Sequence, residues 1–226
     1  MKTRLPIIGF AFLVLAVVRP VFGADVIDRI VVTVNGRIIL QSDWDDELDY
    51  EAFTANKAVK QFTAEERKTA LDRLVDQELL RQQMPDNDPQ LEIGEQDINT
   101  RLQEVRKRSP AAETDQYWQA LLTRFNLSEG DLRKHVTMQI KILRLIDEHL
   151  TSTIQIDDKS IEDYYNKTFL PQIRQKGAKE PSLAEVTPKI RELLTQQKLN
   201  DALKEWMQNL HDSSTIVMKA NEVSSK

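Results

Sequence analysis

The first strongly patterned stretch of the chain covers residues 26–40. Val26, Ile27, Ile30, Val31, Val32 and Val34 are β-branched, Asn35-Gly36 is a strong two-residue hairpin signal, and Ile38, Ile39 and Leu40 read as the return strand. Beyond Leu40 the apolar spacing becomes helical. Ser42 with Asp45 predicts the cap of a first helix that carries Trp44, Leu48 and Tyr50–Phe53 and stops near Asn56. Thr63 with Glu66 opens a second, whose stripe of Leu71, Leu74, Val75 and Leu79 is broken by Glu78 and ends before Pro85. A third runs from Glu95 to Arg108 on Ile98, Leu102 and Val105, and Ser109-Pro110 stops it. A fourth, Asp115 to Phe125, holds Tyr117, Trp118, Leu121, Leu122 and Phe125.

Ser128 with Asp131 caps the fifth helix, expected to be the longest and to reach Leu150. Leu132, Val136, Ile140, Leu143, Ile146 and Leu150 form one stripe, and Met138, Ile142 and Leu145 a second. A helix apolar on two sides buries both, or leaves one for a partner. A short sixth helix after Asp157 carries Ile161, Tyr164 and Tyr165, and Thr168–Glu180 reads as a linker. Ser182 with Glu185 then caps a final long helix with a buried face of Val186, Ile190, Leu193, Leu199, Leu203, Trp206 and Leu210. Pro188 falls within its first two turns, where a lost amide costs least. Thr215–Met218 reads as one more strand. A lone hairpin is marginal in water, so this strand is expected to join it in one small sheet. The predicted fold class is mainly α, with a small N-terminal β-hairpin joined by a C-terminal strand.

Ahead of the hairpin, Lys2 and Arg4 precede the apolar run Ile7–Val18, and Val21-Phe22-Gly23 precedes Ala24. This is the layout of a signal peptide over residues 1–23, cleaved before Ala24. Twelve residues fall short of the ~20 that a spanning helix needs, so a membrane anchor is the weaker reading, kept open by Arg19 close to the cut site. Cleavage removes three bases and no acid, taking the net charge from −5 to −8. Such a charge disfavours nucleic acid and a polybasic membrane contact. The chain has no cysteine, which excludes disulfides, thiol chemistry and Cys-based zinc sites.

No catalytic constellation emerges. His135 and His149 are about four helical turns apart and cannot share a metal on one helix, so the histidines, His211 included, read as solvated or packing residues. Asp45-Asp46 and Glu65-Glu66 lie at helix starts, where the dipole favours negative charge. Nucleophile-elbow, P-loop, zincin and dinucleotide-binding motifs are all missing from the sequence. Asn126-Leu127-Ser128 and Asn166-Lys167-Thr168 match the glycosylation triplet and, behind a bacterial-looking signal, read as chance. No catalytic residue, cofactor, metal or small-molecule substrate is expected.

Five stretches, taken in order, are more informative. They are Asp28–Asp43, Ala70–Leu80, Phe125–Arg133 with the helix after it, Ile161–Tyr165, and Glu185–Leu194 continuing through Trp206. This order resembles the N-terminal chaperone module of the SurA family, periplasmic chaperones of peptidyl-prolyl isomerase type that serve outer-membrane proteins. The resemblance implies a chaperone segment over residues 24–169, a linker at 170–181 where the family inserts a parvulin domain, and residues 182–226 completing the same domain. About fifteen residues separate Tyr165 from Pro181, whereas an independent domain needs on the order of 100, so isomerase activity is expected to be absent. The function implied is an ATP-independent periplasmic holdase for unfolded or nascent envelope proteins, with homodimerisation left open. Tyr117, Trp118, Phe125, Met138, Ile142 and Leu145 are the candidate client-binding residues, because Met tolerates varied shapes and aromatic side chains anchor interfaces. The competing reading of the second stripe is core covered by the C-terminal helix. The alternative function is a dedicated assembly or scaffold subunit bound to one envelope partner, and an enzyme with a cryptic site is a third.

Overall fold

Asn35 and Gly36 take positive φ angles of 50° and 84°, the left-handed pair that a tight hairpin turn requires. They fold β1 (Ile30–Val34) onto β2 (Arg37–Leu40), with Val34 opposite Arg37, Thr33 opposite Ile38 and Val32 opposite Ile39. The register then slips before Ile30 meets Leu40. That bulge lets the consecutive Val31 and Val32 both become buried. On the other edge of β1 lies β3 (Ile216–Met218), antiparallel, in the order β2-β1-β3. The two ends of the described chain therefore meet in one sheet, as the sequence predicts. The Asn35 side chain fastens the junction. Its amide donates to Gln82 Oε1 at 2.9 Å and to Ser214 Oγ at 3.1 Å, and its carbonyl oxygen accepts from the Thr215 amide at 2.8 Å.

The computed structural model describes residues 28–85, 88–109 and 114–219. The signal segment expected over residues 1–23, and Val26 and Ile27 of the expected hairpin, lie outside the described residues.

Helix α1 (Gln41–Ala55) starts sooner than predicted. Because β2 runs into it without a loop, the Leu40 N–H donates to the Asp43 carboxylate at 2.8 Å, and the Ser42 hydroxyl turns to Asp28 instead of capping. Helices α2 (Ala64–Arg81), α3 (Glu95–Lys107), α4 (Asp115–Arg124) and α5 (Glu129–Leu150) begin where the sequence places them, α2 and α5 on the expected capping boxes. Thr63 Oγ1 accepts from the Glu66 N–H at 3.1 Å, and the Glu66 carboxylate accepts from the Thr63 N–H at 2.7 Å. Ser128 and Asp131 repeat that exchange at 3.2 and 3.1 Å.

Three expectations fail further on. After α6 (Asp158–Tyr164) the chain does not enter a linker at Thr168; a π-turn over Tyr165–Phe169 carries it into α7 (Leu170–Gln175). Pro171 has no N–H to give and its ring crowds the carbonyl four residues back, so a locally wider turn keeps the helix going. Helix α8 (Leu183–Ser213) has 31 residues against 22 in α5, reversing their expected rank. It also lacks the continuous buried face predicted for it. Its buried residues are Val186, Ile190 and Leu210, at its two ends, while Leu193 is 39% exposed.

The packing explains this. One core gathers the sheet with Trp44, Leu71, Leu79 and Leu210; a second gathers Phe53, Trp118, Leu122, Phe125 and Leu132; a third holds Ile161, Val186 and Ile190 between α6 and the start of α8. Helix α8 spans from the third core to the first. Helix α5 serves two cores as well, Leu132 in the second and Leu145 in the first. Its buried face rotates along its length, which leaves Leu143 of the expected stripe 59% exposed.

Candidate functional site

The predicted client-binding residues do not share one surface. Tyr117 stands 65% exposed on α4. Trp118 and Phe125 are buried in the second core, each edge-on to Phe53 with ring centroids 6.0 Å apart. The Trp118 indole N–H donates to Glu129 Oε1 at 2.8 Å, so both its apolar body and its polar handle are used internally. Leu145 is buried in the sheet core and Ile142 packs against that core. Trp118, Phe125 and Leu145 are thus core side chains, and Ile142 is half-buried against the sheet core. Met138, one turn earlier on α5, is half-buried and lines an open cleft.

That cleft, of ≈ 340 Å³, lies among β2, α1, α2 and α5. Ile38, Ile39, Leu74 and Met138 give it apolar walls, and Asp43, Asp46, Glu47, Glu78 and Asp131 make it acidic. Hairpin geometry places the isoleucines: β2 passes straight into α1, so Ile38 and Ile39 lead directly to the acids of the first helical turns. Helix spacing places the rest, since Asp131, Lys134, His135 and Met138 recur every three or four residues along one side of α5.

Several of these charges are answered locally. Arg81 donates two hydrogen bonds to Glu78, at 2.6 and 2.7 Å, and Gln82 adds another at 2.6 Å. Burial alone would push the Glu78 carboxyl up, but those three bonds hold it below its ordinary value. Asp131 is held low by the Ser128 hydroxyl and by Lys134, whose ammonium lies 3.1 Å away. Asp43 accepts the capping N–H of Leu40.

Glu47 is different. It is 4% exposed, and its Oε2 has no hydrogen-bond partner among the described residues. His135 Nδ1 is 3.8 Å from that oxygen, beyond hydrogen-bond reach. Burial, with the Glu51 charge behind it, raises the Glu47 carboxyl to about 7 against a smaller opposing pull from Arg73. Burial pushes His135 the other way, below its ordinary value, so its ring stays neutral near pH 7. That ring stacks on Tyr50 at 4.2 Å and 7°, and the Tyr50 hydroxyl accepts from Gln139 at 2.8 Å. Asp46 is also raised, by burial first and then by Asp131 and Asp43.

Sequence reasoning missed Glu47 and assigned Asp46 to the helix dipole. One signal was available: Glu47 falls three residues after Trp44 and directly before Leu48, on the face of α1 that must be buried. Among the described residues there is no cluster of three or more His, Cys, Asp or Glu that could hold a metal ion, and no helix long and apolar enough to cross a membrane. The cleft can therefore offer apolar contact and negative charge to a ligand.

A family model described as the SurA-like N-terminal domain matches residues 1–146, which include β1, β2, α1, α2 and nearly all of α5, and so every residue of the cleft. No curated protein matches the chain.

Proposed function

The chain belongs to the SurA-like N-terminal domain family, and from that premise we propose that it is an ATP-independent periplasmic holdase for unfolded polypeptides, chiefly outer-membrane proteins, without prolyl isomerase activity. Family membership carries this reading, since a SurA-like domain implies a chaperone-type role toward polypeptide clients. The cleft supports it. Ile38, Leu74 and Met138 present apolar surface at an opening, and a thioether adapts to side chains of many shapes. The sequence has no P-loop to bind ATP, and Lys2, Arg4 and the apolar run after them favour export. Between Tyr165 and Ser182 the chain forms a π-turn, α7 and a short loop, where an isomerase domain needs on the order of 100 residues.

The test is aggregation of denatured proteins diluted into buffer without nucleotide. The protein should slow aggregation of an outer-membrane barrel protein and of an unrelated soluble protein, and Met138→Glu should weaken both effects at an unchanged melting temperature. Suppression of neither, or of one stoichiometric partner alone, would overturn the holdase reading. Acceleration of X-Pro isomerisation by pure protein would overturn the claim about isomerase activity.

A further inference from the structure

We propose that the cleft takes hold of a client through a lysine or arginine side chain, whose apolar stem lies along Ile38, Leu74 and Met138 and whose charge settles over Asp46 and Glu47. This deepens the chaperone reading and rests on it. Two carboxyl groups of the cleft are left unanswered. Helix α1 contributes Asp43, Asp46 and Glu47 to the cleft, α2 contributes Glu78 and Arg81, and α5 contributes Asp131, Lys134 and His135. Both full cations already have carboxylates of their own, Arg81 with Glu78 and Lys134 with Asp131. Asp43 is engaged by the helix cap. Asp46 and Glu47 remain, and no ion pair within 4.0 Å to a lysine or arginine forms at either among the described residues.

A buried carboxyl with an orphaned oxygen is a costly thing to build into a fold. Glu47 escapes part of that cost by keeping a proton near neutrality, and burial with the neighbouring Asp131 and Asp43 raises the Asp46 carboxyl in the same direction. Glu47 would ionise if a cation entered. A metal ion fits poorly, since no cluster of metal-ligating residues is found among the described residues. A cation on a long apolar stem fits both parts of the lining, because lysine and arginine lay their methylenes on apolar surface and keep the charge at the tip. In an unfolded polypeptide such side chains lie among apolar ones, so one extended segment could satisfy walls and floor together.

The experiment uses two short, extended, fluorescently labelled peptides, identical except for lysine or norleucine between apolar neighbours. Anisotropy titrations with the full chain should show the lysine peptide binding about tenfold more tightly, with the gap narrowing as salt is raised. Calorimetry in buffers of different ionisation enthalpy should show proton release with the lysine peptide, as Glu47 ionises, and less with norleucine. The pair Asp46→Asn with Glu47→Gln should bind both peptides alike. Should that double variant fail to fold, Asp46→Asn alone must still narrow the gap. Equal affinity of the unaltered protein for the two peptides would overturn this proposal alone. Binding of neither, together with no suppression of aggregation, would overturn the chaperone reading with it.

Discussion

Glu47 is held where its ionised form is disfavoured, and that makes stability depend on pH in a defined direction. Its carboxyl titrates at 4.5 in the ordinary case and at about 7 in the fold. Between those values the folded protein holds more protons than the unfolded chain, so stability falls as pH rises through that window. The full loss is up to about 3 kcal/mol. His135 works in the opposite sense, because a base pushed below its ordinary value makes the fold less stable as pH falls. Glu47→Gln removes the first effect and leaves the second. In urea unfolding the variant should therefore gain on the unaltered protein between about pH 5 and about pH 8; parallel curves would show that Glu47 carries no such burden. The residue was legible only as an acid on a face that Trp44 and Leu48 mark as buried. Its orphaned oxygen and its distance from His135 depend on how α1 and α5 pack, which no local pattern states.

Among the elements, those whose ends rest on a side-chain cap were readable in advance. Thr63 with Glu66 and Ser128 with Asp131 begin α2 and α5 where the sequence placed them, because a capping box is made from residues three apart. The start of α1 was misplaced because a strand feeds it directly, and α7 was missed because a π-turn accommodates Pro171. Strand β3 was legible by elimination, as the remaining β-rich stretch for a hairpin needing a third strand. It matters more than its length suggests. Ending the chain at Ser213 would remove the β3 ladder along with the Ser214 and Thr215 contacts of Asn35. At about 1 kcal/mol for each lost hydrogen bond, the cost should be about 3–5 kcal/mol, read as a lower melting temperature and faster aggregation through the bared edge of β1. An unchanged melting temperature would mean that β3 only rests against the sheet.

On the scale of the whole molecule, the helical class and the joining of the hairpin by a C-terminal strand were evident from the sequence, but the division into separate cores was not. Apolar stripes say that a face is buried without saying against what, and α5 and α8 each divide their apolar residues between two cores. The third core is small, with Ile190 packed against Ile161 and Val186. Ile190→Asp should melt α6, α7 and the start of α8 while leaving the sheet core intact, since a buried charge there costs several kcal/mol against few contacts. Hydrogen exchange should then quicken over residues 158–190 and stay slow at Leu71–Leu79; loss of protection in both regions would mean that the cores unfold as one. The pairing of β1 with β3 has a consequence in time as well. Asn35 and Thr215 are 180 residues apart in sequence, whereas each capping box closes within a single turn. A contact between such distant residues pays a loop entropy that local ones do not, and it slows folding accordingly. During synthesis the hairpin emerges early and must wait for nearly all the rest of the described chain before its centre strand gains a second neighbour. The helices can form as they appear, but the sheet is closed by a latecomer, since its third strand is residues 216–218.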